Sequence, residues 1–349
     1  MVQRLTPEGA LAPECHDDPG MTDQQLLYAF QVMIQSRAID EWAVSLTRQG
    51  RLLPYPPAVG QEANSVGGAM ALRDDDWIVH AYRELGALLV RGLPITTHFQ
   101  YWYGVEDGSR LDIDRYHLAP VAIPIGSQLP HAVGLAFAER HLGRDRVVLC
   151  YCGDGATSQG DFHESLTFAG VWNTPTVFYV QNNQYALSTP RDTQCASPSL
   201  AAKAEGYGFS GVQVDGNDIT AVYQVVREAV RRARAGDGPT LIEGITYRVG
   251  AHTTTDDPTR YRTREEERTW ERHDPIRRVQ RLLMERGLLT ESETRSLVAD
   301  ARTRARKAFE AVESDPDPDL EAGFRHTFAE APPLLQQQLA RLRELRGDR

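Results

Sequence analysis

Cysteine is scarce in this chain and basic side chains are in the minority. The 349 residues include four cysteines, Cys15, Cys150, Cys152 and Cys195, with no Cys-x-x-Cys pair and no zinc-like spacing. This speaks against a disulfide framework or a structural zinc, and it fits a reducing compartment. Cys150 and Cys152 alternate within an apolar run, so they face one side and read as buried thiols. Lys and Arg total 38 against 48 Asp and Glu, a net charge of −10. Nucleic acid is therefore not expected as a main partner, since such proteins present a basic face. No apolar run approaches the ~20 residues that a membrane span needs. Residues 1–20 lack the basic start and apolar core of a secretory signal. These absences lead us to expect a cytoplasmic protein that binds neither membrane nor nucleic acid. The remaining composition, 41% hydrophobic and 25% charged, is ordinary for a globular chain.

The richest stretch is Val147–Tyr185. Its apolar opening, Val147 to Cys152, breaks at Gly153-Asp154-Gly155. A helical pattern follows, with Phe162, Ser165, Leu166 and Ala169 on one side, and ends at Trp172-Asn173-Thr174-Pro175. A second apolar run, Thr176–Val180, leads into Gln181-Asn182-Asn183. Continuous apolar runs around a helix predict a buried βαβ unit with parallel strands. Such a unit brings both strand ends to one rim, where open α/β sheets bind ligands. Asp154 and Asn183 would then lie side by side near a helix N-terminus, which favours anions. A carboxylate, an amide and nearby carbonyls form a hard oxygen site suited to magnesium and a diphosphate.

Other readings compete. Gly153-Asp-Gly155-Ala-Thr-Ser158 approaches a dinucleotide fingerprint, but Ser158 replaces the third small residue and no acid ends the second strand. A phosphoryl-transfer enzyme with Asp154 as nucleophile would want an Asp-x-Asp strand end, which is absent. A non-catalytic scaffold subunit, or a ligand-free turn and polar strand end, is the bland alternative. The two halves taken together are more specific. Gly-Asp-Gly, the 26 residues 156–181, then Asn-Asn resembles the diphosphate-binding motif of thiamine diphosphate enzymes. Gly153-Asp-Gly-Ala-Thr-Ser-Gln-Gly-Asp161 and Gln181-Asn-Asn-Gln-Tyr-Ala-Leu-Ser188 resemble the alpha subunit of the decarboxylating component of 2-oxo acid dehydrogenases.

That resemblance runs from about Thr22 to the C-terminal helix and carries expectations for named residues. It implies thiamine diphosphate held through magnesium, with Asp154, Asn183 and Tyr185 as metal ligands. It implies cofactor contacts from Tyr82, Arg83, Ile123, Ile125, Asp154, Gly155, Ala156, Gln181, Asn183, Tyr185 and His252. It further implies a structural monovalent cation near Ser127 and Gln128. A lone loop histidine is usually just solvated. His252 nevertheless follows an apparent strand, Leu241–Val249, on the ligand-binding rim, and its type suits proton transfer near neutrality. In Gly250–Arg262 the family places a histidine that works on the acyl intermediate, so His252 is the expected catalytic residue. Thr253 stands where regulated relatives carry a phosphorylated serine, which speaks against kinase control.

Elsewhere, Thr22-Asp-Gln-Gln25 is a capping-box signature ahead of a helix bearing Leu26, Phe30, Met33, Ile34 and Trp42, with Gly50 as its stop. Pro54, Pro56, Pro57 and Gly60 force a loop. Helices are expected at Gln61–Leu72, Ala132–Leu142, Ser197–Phe209 and Ile219–Ala235, with strands at Trp77–His80 and Val212–Val214. Tyr101–Asp114 shows no clear period. The expected fold is α/β: a doubly wound, mostly parallel sheet flanked by helices, with helical N- and C-terminal extensions. We divide it as an arm at 1–20, a thiamine diphosphate-binding domain at 21–313, and a linker (Ser314–Asp319) plus helix at 314–349. The arm and the last helix read as segments that lie on a partner. The resemblance implies oxidative decarboxylation of a small 2-oxo acid and acyl transfer to lipoyl groups. Pyruvate is the first expectation, branched-chain 2-oxo acids such as 3-methyl-2-oxobutanoate the second, and acetoin dehydrogenase a lesser one. No second domain for the aminopyrimidine is visible. The resemblance therefore implies a beta subunit in an α2β2 heterotetramer, docked on a lipoyl acyltransferase core.

Overall fold

The computed structural model describes residues 1–15, 20–314 and 321–347. Five parallel strands form the sheet: β1 (Trp77–Val79), β2 (Val148–Gly153), β3 (Thr176–Asn182), β4 (Ser210–Asp215) and β5 (Thr240–Ile245). Their spatial order is β1-β2-β3-β5-β4. The expected βαβ unit is present, with α-helix Gly160–Trp172 between β2 and β3. Every β2 residue from Val148 to Cys152 and every β3 residue is buried, as continuous apolar runs require when both sheet faces are covered.

Helices cover both faces. Helices Gln128–His141 and Gly160–Trp172 pack Leu129, Val133, Phe162 and Leu166 against Cys150, Cys152, Phe178 and Val180. Both strand cysteines thus share that face and are free thiols. Helix Ile219–Arg234 packs Val222 and Val226 against Leu149, Tyr151, Val177 and Tyr179 on the other. The capping box at Thr22 closes as expected and starts a 26-residue helix, Asp23–Arg48. Pairing of Gly153 with Gln181 puts the turn after β2 and the turn after β3 on the same rim.

Several boundaries differ from expectation, each for a local reason. The helix expected from Ala132 begins at Gln128, because Pro130 sits in its first turn, where no backbone donor is lost. The segment expected as helix Ser197–Phe209 is a 3-10 turn, Ala201–Tyr207, ended by Gly208 at φ 83°. The strand expected to run to Val249 stops at Ile245, where its partner β3 also ends: Thr246 N–H makes a last bond to the carbonyl of Asn182 (2.9 Å), the final residue of β3. The aperiodic stretch around 101–114 holds the end of helix Ile95–Tyr103 and the short turn Ile113–Tyr116. All but Ser314 of the expected linker Ser314–Asp319 lies outside the described residues. Helix Pro333–Arg346 follows, with no buried side chain and with Arg343 paired to Glu321 at 2.7 Å. Among the described residues no helix is long and apolar enough to cross a membrane.

The first residues pack on their own chain. Val2 N–H donates to Gln213 O (2.8 Å) and Asp215 N–H donates to Val2 O (2.9 Å), extending the edge at β4. Leu5 is fully buried. Asp218 caps helix Ile219–Arg234 through Thr220 N–H and Ala221 N–H while its other oxygen accepts from Arg4 and Leu5 N–H, both at 2.6 Å. One carboxylate thus closes a helix and anchors the N-terminus. We predict that Asp218→Ala costs about 2–4 kcal/mol of stability, the loss of a cap plus stranded buried donors. Urea unfolding would measure that loss, and faster proteolysis before Leu5 would report the freed segment.

Candidate active site

The rim above β2 and β3 holds a cavity of about 270 Å³. Of the residues singled out from sequence, Tyr82, Arg83, Ile125, Asp154, Gly155, Ala156, Gln181, Asn183, Tyr185 and His252 all line it. Ile123 does not line it, and its side chain is 47% exposed. Ile125, also largely exposed, is one of its walls. Gln128 lines the cavity, whereas Ser127 does not and donates its hydroxyl to Pro124 O at 2.8 Å.

Asp154 begins a 3-10 turn at the end of β2. It is 1% exposed, and its Oδ2 has no hydrogen-bond partner. Burial pushes its pKa up to about 6 despite nearby backbone donors and the charge of Arg248. Asn183 is also buried; its Oδ1 accepts from Tyr185 N–H at 3.4 Å and its Nδ2 donates to Gln61 Oε1 at 3.1 Å. Gly155 approaches the hairpin Tyr185–Ala186/Thr189–Pro190 so closely that an added Cβ would lie 3.0 Å from Ala186 Cβ. Among the described residues no group of three or more His, Cys, Asp or Glu could hold a metal. The donors gathered here are instead one carboxylate, one amide oxygen and one carbonyl. That set suits a cation whose remaining ligands come with a phosphate-bearing molecule.

Two arginines converge on His252. Arg83 donates to Pro57 O (2.7 Å) and His252 O (3.0 Å), and its Nη2 lies 3.3 Å from His252 Nδ1. Arg248 Nη1 lies 3.3 Å from the same nitrogen, and Arg248 also donates to Tyr185 O (3.2 Å), Leu187 O (2.6 Å) and Tyr261 Oη (2.8 Å). Guanidinium groups only donate, so Nδ1 is an acceptor and the ring proton resides on Nε2. Burial, then the charges of Arg83 and Arg248, lower the His252 pKa to about 4. The loop around it is tied down: His252 N–H donates to Asp256 Oδ2 (2.8 Å), and Thr254 exchanges two 3.0 Å bonds with Tyr55.

Three residues with no role assigned from sequence complete the cavity surroundings. Gln61 and Glu84 line it, and Arg248 braces His252 from beneath. Glu84 is buried, accepts from Gln181 Nε2, and follows directly on Tyr82-Arg83, which was the available signal. Gln61 and Arg248 carry no local signal, since only tertiary structure brings them to the rim.

The chain as a whole matches a known family. The family described as "Dehydrogenase E1 component" matches residues 30–321. The chain belongs to it. It is an alpha subunit of a 2-oxo acid dehydrogenase E1 component. Similar proteins include the 3-methyl-2-oxobutanoate dehydrogenase subunit alpha of Mycobacterium tuberculosis, 46% identical over 342 residues, 98% of this chain and 93% of the relative. The pyruvate dehydrogenase E1 component subunit alpha of Staphylococcus aureus is 40% identical over 339 residues, 97% of this chain and 91% of the relative.

The unpartnered carboxylate of this E1 alpha chain has a measurable cost. Because the folded pKa of Asp154, about 6, lies above the ordinary aspartate value of 3.8, ionisation opposes folding. The penalty is complete above the folded pKa and fades as pH falls through it toward the unfolded value. Asp154→Asn should therefore raise the stability of the protein without cofactor at pH 8 by on the order of 2–3 kcal/mol. The gain should shrink toward pH 4. Denaturant midpoints measured across that range check the slope.

Proposed function

We propose that the cavity holds thiamine diphosphate through magnesium, and that the chain works with a beta subunit in the cytoplasm on a branched-chain 2-oxo acid. The observation that carries this reading is the buried Asp154 Oδ2 without a partner, facing the same cavity as Asn183 and Arg83. Three further buried polar atoms on that wall are unpartnered: Gln61 Nε2, Gln128 Oε1 and Gln181 Oε1. Buried polar atoms are rarely left so, which supports a polar guest. In this reading Asp154, Asn183 Oδ1 and the Tyr185 carbonyl take the magnesium, and Arg83, Gly155 and Ala156 meet the diphosphate. A monovalent cation near Ser127 and Gln128 is a lesser part of it, supported only by the free Gln128 Oε1. Bound, the cofactor supplies the electron sink for decarboxylation. The chain's own contribution is to position that group, exclude water and present the Nε2 proton of His252 to the acyl oxygen.

The described residues contain one five-stranded sheet and a two-stranded hairpin. That supports a divided site in which a beta subunit supplies the aminopyrimidine half, as an α2β2 heterotetramer on a lipoyl acyltransferase core. For substrate, two observations favour a branched chain over pyruvate, the first expectation. The 3-methyl-2-oxobutanoate enzyme is the more similar of the two relatives, 46% against 40%. An apolar cavity of about 210 Å³, with Leu85, Leu88, Leu93 and Leu111 among its walls, adjoins the first at Tyr82. A methyl group would leave such a cavity largely empty.

With the reconstituted alpha and beta pair, kcat/KM for 3-methyl-2-oxobutanoate should exceed that for pyruvate by at least about tenfold, the discrimination expected of added methyl groups in an apolar pocket. The reverse order would restore pyruvate. His252→Ala should leave cofactor affinity within a few fold while slowing lipoamide acylation by about 10²–10⁴, the range for a lost proton-transfer group. Wild-type acylation by that variant would remove the assignment.

A further inference from the structure

Gln61 closes the loop of Pro54, Pro56, Pro57 and Gly60, and its backbone is fixed from both sides. Its N–H donates to Ala58 O (2.9 Å), and its carbonyl accepts from Asn64 N–H (3.1 Å) and Asn64 Nδ2 (3.2 Å). Gly60, at φ 88°, brings this corner against Val249, where an added Cβ would come within 2.7 Å of Val249 Cγ2. The side chain is 1% exposed and lines the cavity beside Asn183.

The sense of the two amides follows from donors and acceptors. Tyr185 N–H can only donate, so the Asn183 atom it meets at 3.4 Å is Oδ1. Asn183 therefore turns Nδ2 toward Gln61, which must answer with Oε1, as the 3.1 Å contact records. Gln61 Nε2 is then left over, buried and without a partner. A stranded amide donor of this kind is unfavourable, and an acceptor on the guest would recover the loss.

We propose that Gln61 binds the cofactor directly, its Nε2 donating to a diphosphate oxygen while its Oε1 holds Asn183 with Oδ1 available to the metal. This rests on the magnesium–diphosphate reading of the cavity and adds to it a neutral donor that also sets the rotamer of a metal ligand.

The test compares Gln61→Ala and Gln61→Glu in the full chain assembled with its beta subunit. Binding of magnesium thiamine diphosphate would be followed by calorimetry, and apo melting temperatures would exclude misfolding. Glu keeps the acceptor for Asn183 but replaces the donor with a negative charge. A direct contact therefore makes Glu the worse variant: Ala should weaken binding by about tenfold and Glu by at least about a hundredfold, as expected for losing, and then reversing, a hydrogen bond to a charged group. A role limited to holding Asn183 predicts the opposite order, with Glu near wild type, and would overturn the proposal. So would affinity unchanged in both. If wild type itself binds no cofactor, the reading of the cavity fails and this inference falls with it. Wild-type binding with either contrary pattern sinks the Gln61 assignment alone.

Discussion

Burial of the Asp154 carboxylate without a hydrogen bond to Oδ2 is the constraint from which the rest of the rim follows. A carboxylate at 1% exposure is normally protonated, paired or metal-bound. Arg248 is near enough to lower its pKa, but its two terminal nitrogens bond Tyr185 O, Leu187 O, Tyr261 and His252 and not Asp154. The charge is thus screened and not satisfied. Parallel pairing of β2 with β3 fixes where it stands, because Gly153 and Gln181 are in register, Asp154 leaves the sheet directly after and Asn183 one residue later, on the same rim. Slipping either strand by one residue would turn alternate side chains to the other face. Asp154 and Asn183 would then no longer share the rim as they do.

Rigidity around that charge comes from loops braced against each other more than from regular structure. Residues 54–61 reach the histidine loop through Thr254 and Tyr55, and Arg83 spans from Pro57 to His252. Tyr55 is itself pinned from below, donating its hydroxyl to the buried Asp40 at 2.6 Å. Arg262 donates to the backbone carbonyls of Arg248 and Gly250 (2.6 Å for the latter), fixing the far side of the loop. These bonds stand in for a sheet ladder beyond Ile245, which is why the chain there can leave the sheet and still be ordered.

Most of this was legible where chemistry and periodicity coincide along the chain. The β2–turn–helix–β3 unit announced itself because both strands are buried on two faces and so read as unbroken apolar runs. The capping box at Thr22 was equally plain, since both its partners lie within four residues. Boundaries failed where an element depends on what packs against it. Pro130 conceals the first turn of its helix, and Leu241–Val249 reads as uniformly strand-like although its partner β3 ends opposite Ile245. Ile123 and Ile125, two residues apart, look alike in sequence, yet only Ile125 reaches the cavity. Gln61 and Arg248 were invisible for a deeper reason. Their partners are 122 and up to 63 residues away, and nothing in a glutamine after Gly60 signals an amide relay.

The state of His252 ties these observations to chemistry. Burial, together with the two guanidinium groups on Nδ1, holds its pKa near 4, so at neutral pH the ring is uncharged and donates through Nε2. Arg83, one of the two cations responsible, also lines the cavity. An anion seated beside Arg83 cancels part of the field that depresses His252, and a favourable charge nearby raises a histidine pKa. In the proposed reading, an anionic guest beside Arg83 would oppose the cationic part of that depression, while burial, its larger cause, would remain.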